Sequence, residues 1–131
     1  ARTIIVENGK VVDDIELIQN QEWKSGLQME EKLHTELFRF VTKETTFEEL
    51  YYYMNEFIVE NGFVNLDFMG NLGHSIVKVK SDRIYIEKEN KAKLGAVNYF
   101  TFEPHIAFHD SKYGYKKENI YYFDGDVLVE L

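Results

Sequence analysis

The sequence predicts an α+β domain, an antiparallel sheet with two main helices packed on one of its faces. Three observations carry that expectation. Two proline-free segments in the first half repeat apolar residues at helical spacing. The second half is built of short runs rich in Phe, Tyr, Ile and Val, separated by polar turns. An Asp124-Gly125 pair joins the last two runs, the residue types that close a tight hairpin and set its strands antiparallel.

Taken in order, Ile4-Ile5-Val6 is a β-prone run that stops at the Asn8-Gly9 turn signal, and it is expected to join the sheet. Apolar or small residues then recur at Val11, Ile15, Ile18, Gly26, Met29, Leu33, Leu37 and Phe40. Trp23 and Leu27 widen this stripe and Glu22 interrupts it, so one long helix is expected over Val11–Val41, bent near Ser25-Gly26. Thr45-Thr46 ahead of Glu48-Glu49 has the spacing of a capping box. Phe47, Leu50, Tyr51, Met54, Phe57 and Ile58 continue it as a helix over Phe47–Asn61, which Gly62 ends. The Tyr51-Tyr52-Tyr53 run reads as core and helix surface, because no basic residues interleave it as they would in a stacking platform.

Gly70-Asn71-Leu72-Gly73 is a backbone-permissive loop that delivers His74. Short strands are expected over Ser75–Lys80 and Arg83–Glu87, followed by a polar turn at Glu89–Lys93. Val97–Phe108 reads as a strand interrupted at Pro104, which has no N–H for a ladder. Alternation places Thr101, Glu103 and His105 on one face and Phe100, Phe102 and Ile106 on the other. A turn over Asp110–Gly114 leads to strands at Lys116–Phe123 and Val127–Leu131. No internal repeat, linker or low-complexity stretch divides the chain, so residues 1–131 are expected to form a single unit.

Composition narrows the function. A net charge of −8 disfavours nucleic acid, whose phosphates it would repel. No apolar run approaches the ~20 residues that span a bilayer, so no membrane partner is expected. The absence of cysteine removes disulfides and thiolate metal sites and suits a cytoplasmic setting. An apolar fraction of 44% is enough for a packed core.

The chemistry-bearing residues are one His and two Glu: Gly73-His74-Ser75, then Phe100-Thr101-Phe102-Glu103-Pro104, then Lys116-Lys117-Glu118-Asn119. An imidazole with two carboxylates suits Mn, Co, Fe or Zn. Each residue also has a local alternative. His74 could cap or lie on the surface, Glu103 could pair with a Lys, and Glu118 could belong to a solvated cluster with Lys116 and Lys117. His34 and His109 read as surface residues.

In order and spacing these segments resemble the pita-bread metallopeptidases, the family of methionine aminopeptidase, aminopeptidase P, prolidase and creatinase. The resemblance implies His74, Glu103 and Glu118 as metal ligands, with Glu118 bridging two ions and Glu103 also serving catalysis as proton shuttle. His105, two residues from Glu103, would touch substrate or orient a ligand. Two departures accompany it. The stretch Val79–Tyr85 lacks the family's second His. The family's two Asp ligands have no counterpart, since Asp13 and Asp14 are adjacent rather than spaced along a hairpin.

The opening Ala1-Arg2-Thr3 resembles the segment just after the family's second Asp. The resemblance therefore implies the C-terminal part of a larger catalytic domain, with metal absent or partial in this piece. The implied activity of the parent is a dinuclear metal-dependent aminopeptidase or X-Pro peptidase acting on peptides. The alternative is a pita-bread-like binding module that has lost its metal site. Apolar surface on the long helix would favour a homodimer.

Overall fold

The computed structural model describes all 131 residues, and the chain opens with a hairpin where a helix was expected. β1 (Val6–Glu7) and β2 (Lys10–Val11) pair antiparallel around the left-handed Asn8 and Gly9. The Glu7 carboxylate then accepts the backbone N–H groups of Gln19 and Asn20 at 2.8 and 2.9 Å, tying the hairpin to the start of α1 (Gln21–Phe40). Asp14 caps one 3-10 turn at Ile15–Leu17, and Asn20 caps α1 by accepting from Trp23 N–H. Short Asp and Asn side chains compete with the helical backbone for its own N–H groups, so the apolar stripe does not become helix before Gln21. Gly26 lies inside the unbroken α1, where a Cβ would sit 2.4 Å from the Tyr115 ring. Close packing, rather than a bend, is what this glycine permits.

The second helix follows the expectation. In α2 (Phe47–Glu60), Thr46 Oγ1 accepts from Glu49 N–H and the Glu49 carboxylate accepts from Thr46 N–H, a complete capping box. Met29, Leu33 and Leu37 of α1 meet Phe47, Leu50, Met54 and Ile58 of α2 over a sheet-borne layer of Phe100, Phe102, Ile106, Tyr115 and Tyr121, all buried. Each such side chain contributes roughly 1.5–3 kcal/mol by leaving water. His34 is part of this interior at 4% exposure, which corrects its reading as a surface residue. His109 is exposed as expected.

All strands pair antiparallel, and they form two three-stranded sheets beside the small hairpin. β3 (Phe63–Asn65), β5 (His105–Phe108) and β6 (Tyr115–Lys116) make one; β4 (Phe100–Phe102), β7 (Asn119–Asp124) and β8 (Val127–Glu130) make the other. The chain passes between them three times, through the long segment 66–99, at Glu103-Pro104 and at Lys117-Glu118. Pro104 has no N–H to offer, and the Glu103 N–H is turned toward the Leu72 carbonyl at 2.8 Å, so the ladder stops there. Both acidic candidates therefore sit where one sheet gives way to the other.

Two further expectations are corrected. Ile4–Val6 does not enter the main sheet. Val6 stays in its own hairpin, and the N-terminal segment meets the strands through Arg2 and Thr3, by the Arg2–Lys117 bridge and the Thr3 N–H to Lys116 carbonyl bond, 2.7 Å. The segments Ser75–Lys80 and Arg83–Glu87 are not regular strands. Single bridges join His74 to Tyr85 and Ser75 to Phe100, and Lys80–Asp82 is a 3-10 turn. Buried Ser75 Oγ takes the Ile84 N–H at 2.9 Å, in place of a longer ladder. No helix is long and apolar enough to cross a membrane.

Candidate functional site

His74 is delivered by a loop pinned at almost every step. Asp67 Oδ1 accepts the N–H groups of Met69 and Asn71, and Asn71 Oδ1 accepts that of Gly73. Asn55 and Asn65 both donate to the Gly70 carbonyl. Gly73 has φ +148°, and a Cβ there would lie 2.1 Å from the Thr101 carbonyl oxygen, so only glycine lets the loop close on β4. The His74 N–H then donates to Thr101 Oγ1 at 3.0 Å, while the Thr101 N–H donates to the His74 carbonyl at 2.8 Å.

The imidazole is held by one ring nitrogen. Its Nδ1 donates to the Ser75 carbonyl at 2.9 Å, which leaves Nε2 as the lone-pair atom. That Nε2 lies 3.9 Å from Glu103 Oε2, and the Tyr85 ring presents its edge to the imidazole. Glu103 Oε1 accepts from Lys116 Nζ at 3.3 Å. The Glu118 carboxylate lies near Glu103, and its hydrogen-bond partner is the Ala1 ammonium at 2.6 Å. The hydrogen bond from that ammonium, together with its charge, holds the Glu118 carboxyl below the usual carboxylate range.

A cavity of about 190 Å³ opens over His74 and Glu103, walled by Asp67, Asn71, Tyr85, His105 and Lys116. Tyr85 is its one apolar wall, so the cavity is almost wholly polar. His105 stands opposite Lys116 across β5 and β6. Desolvation, and then the Lys116 charge, push its imidazole down from the ordinary value, so the ring is neutral at pH 7. A larger cavity of about 320 Å³ lies between the N-terminal segment and α1, but no histidine lines it and its only carboxylates are Asp13 and Glu31.

The structure thus links His74 to Glu103 and Glu103 to Glu118, and it brings His105 to the same cavity. Glu118 itself lies behind Glu103, outside the cavity wall. Asp13 and Asp14 are elsewhere; Asp14 is used as the cap of the 3-10 turn. The alternative expected for Glu103, a pair with a Lys, is present, and its partner is Lys116, which the sequence placed only in the cluster around Glu118. Its place two residues before Glu118 was the available signal, since alternate strand residues share a face.

The donor chemistry fits a divalent ion: an imidazole whose Nδ1 is engaged by the Ser75 carbonyl and whose Nε2 faces Glu103, and two carboxylates near each other. The geometry fits it incompletely. No three His, Asp or Glu side chains enclose an ion position, and an ammonium group faces each of the two carboxylates.

Among protein families, the chain matches metallopeptidase family M24 over residues 2–124, nearly its whole length, and it belongs to that family. The pita-bread resemblance read from His74, Glu103 and Glu118 is that same family. Comparison with curated proteins and with solved structures returned no match.

Proposed function

We propose that this chain forms the His-Glu-Glu side of the metal centre of an M24 peptidase that removes an N-terminal residue or splits an X-Pro bond, working in the cytoplasm on peptide substrates. The observation that supports this reading most is the His74–Glu103 approach in a polar cavity, with the imidazole tautomer set to leave Nε2 free. His74 Nε2, Glu103 and Glu118 would hold Mn, Co, Fe or Zn once the two ammonium groups move off the carboxylates. A divalent ion in such a site supplies an activated water near neutral pH and a polarised carbonyl. Of the residues themselves, Glu103 is placed to hold a proton at Oε2 beside the cavity. Neutral His105, on the cavity wall, is placed to accept a hydrogen bond from a substrate N–H.

A second reading is a binding module of the same fold. It is favoured by the ammonium groups of Lys116 and Ala1, which already neutralise Glu103 and Glu118. Pairing of two copies is a further part of the proposal, and exposed apolar side chains open to it include Ile4, Val6, Val11 and Leu17 and, on α1, Phe38. The test is hydrolysis of N-terminal-residue and X-Pro peptides by the chain and by any longer natural parent, without metal and with Mn²⁺, Co²⁺, Fe²⁺ or Zn²⁺. Metal-dependent turnover by the parent, lost in His74→Ala and Glu103→Gln, is the expected result. A parent that binds peptide but turns over neither class with any of the four metals overturns the peptidase reading.

A further inference from the structure

We propose that His34, buried in α1 and outside the cavity lining, is the positioning residue for Glu118. The proposal rests on reading Glu118 as a metal ligand, and its test is chosen to separate the two. His34 engages both ring nitrogens. Nε2 lies 2.9 Å from the Lys117 carbonyl oxygen and Nδ1 lies 2.6 Å from the Tyr121 hydroxyl. A carbonyl can only accept, so Nε2 carries the proton. Nδ1 therefore accepts, and the Tyr121 hydroxyl is the donor.

The chain of bonds continues along the strand. Asn119 Nδ2 donates to the Tyr121 hydroxyl at 3.4 Å, and Arg2 donates to Asn119 Oδ1 at 3.0 Å. Lys117 lies just before β7, which carries Asn119 and Tyr121, and the Lys117 carbonyl and the other two side chains are tied to this single network. Glu118 lies between Lys117 and Asn119, with its carboxylate near Glu103.

This network acts where regular pairing fails. Lys117 and Glu118 fall in the gap between β6 and β7, so no continuous ladder fixes their direction. The gap is also held by the N-terminal segment, through the Glu118 N–H to Ala1 carbonyl bond and the Arg2–Lys117 bridge, and by α1 through the Lys117 ammonium on Glu31 at 2.6 Å, but of these contacts only the His34 bond fixes the Lys117 carbonyl. The His34 ring is wedged edge-on to Phe102 at 5.0 Å and stacked on Tyr121 at 5.9 Å, which fixes its angle. A neutral imidazole is well suited here because it donates and accepts from two rigid, opposed atoms. Gln offers the same pair on a flexible stem. Leu offers neither.

The experiment measures Mn²⁺ affinity by the EPR signal of free Mn²⁺, urea stability, and amide hydrogen exchange at Glu118. The variants are His34→Leu, His34→Gln and the core control Met54→Ala, with His74→Ala to report on the metal reading itself. If His34 positions Glu118, His34→Leu weakens Mn²⁺ binding ~10- to 100-fold and speeds Glu118 exchange, the range seen when a group orienting a ligand is lost. His34→Gln restores both to near the wild-type values. Met54→Ala lowers stability while leaving affinity unchanged. Equal effects of His34→Leu and Met54→Ala on affinity, or unchanged Glu118 exchange in His34→Leu, overturn the proposal. If the wild-type chain takes up no Mn²⁺, or takes it up regardless of His74→Ala, the metal reading fails, and the Glu118 exchange rate alone decides the positioning role.

Discussion

Replacing Glu30 by Gln should alter how stability depends on pH, and by an amount the structure defines. Glu30 lies on the inner face of α1 at 2% exposure, and neither carboxyl oxygen has a hydrogen-bond partner. The Lys117 backbone N–H is near enough to favour the charged form slightly but does not complete a bond. Burial dominates and pushes the carboxyl up to about 9 from 4.5. Glu30 is therefore protonated in the folded chain at pH 7 and ionised in the unfolded one.

A carboxyl whose folded pKa exceeds its unfolded value contributes fully below about pH 4.5. That contribution is lost as pH climbs through the window up to about 9. Each pH unit inside the window is worth about 1.36 kcal/mol. Between pH 5 and pH 7 the wild-type chain should thus lose about 2.5 kcal/mol that Glu30→Gln does not lose. Any fixed cost of the buried Gln amide, and the titration of every other group, cancels when the two curves are subtracted. Urea unfolding followed by the single Trp23 at pH 5, 6 and 7 measures the difference directly. Parallel pH profiles for the two proteins would refute the burial argument.

Other substitutions act through single contacts. Gly73→Ala places a Cβ 2.1 Å from the Thr101 carbonyl at a φ that L-residues avoid, so it should cost at least ~2–3 kcal/mol in urea unfolding and displace His74. Gly26→Ala drives a methyl into the Tyr115 ring and should cost ~1–3 kcal/mol by the same assay. Thr46→Ala removes the cap of α2 and should cost ~1 kcal/mol with no change in Mn²⁺ uptake. Lys116→Met frees Glu103 from a half-buried ammonium; taking the pair at ~1 kcal/mol, calorimetric Mn²⁺ affinity should rise about fivefold.

How much could be read in advance depends on the range of the forces involved. α2 was legible because both its cap and its stripe are local: Thr46, Glu49 and the residues from Phe47 to Ile58 contact one another within a few turns. The start of α1 was not, because Glu7, Asp14 and Asn20 compete for the backbone through bonds that periodicity does not register. Glu103 stood out as a carboxylate in an aromatic strand, and Pro104 marked the break that exposes it. The division into two sheets was hidden, since it depends on Leu72 taking the Glu103 N–H across a long loop. His34 was misread for the same reason. Its partners, Lys117 and Tyr121, lie more than 80 residues away, and nothing next to it in the chain announces them.

The central claim is that His74, Glu103 and Glu118 act as one set of metal donors. Paramagnetic broadening of backbone amide signals by substoichiometric Mn²⁺ tests it most directly. The predicted result is weak uptake, with the signals of His74, Glu103, His105 and Glu118 broadened together and the effect abolished by His74→Ala. Broadening confined to exposed carboxylates such as Asp13 and Asp14, with those four signals intact, would contradict it.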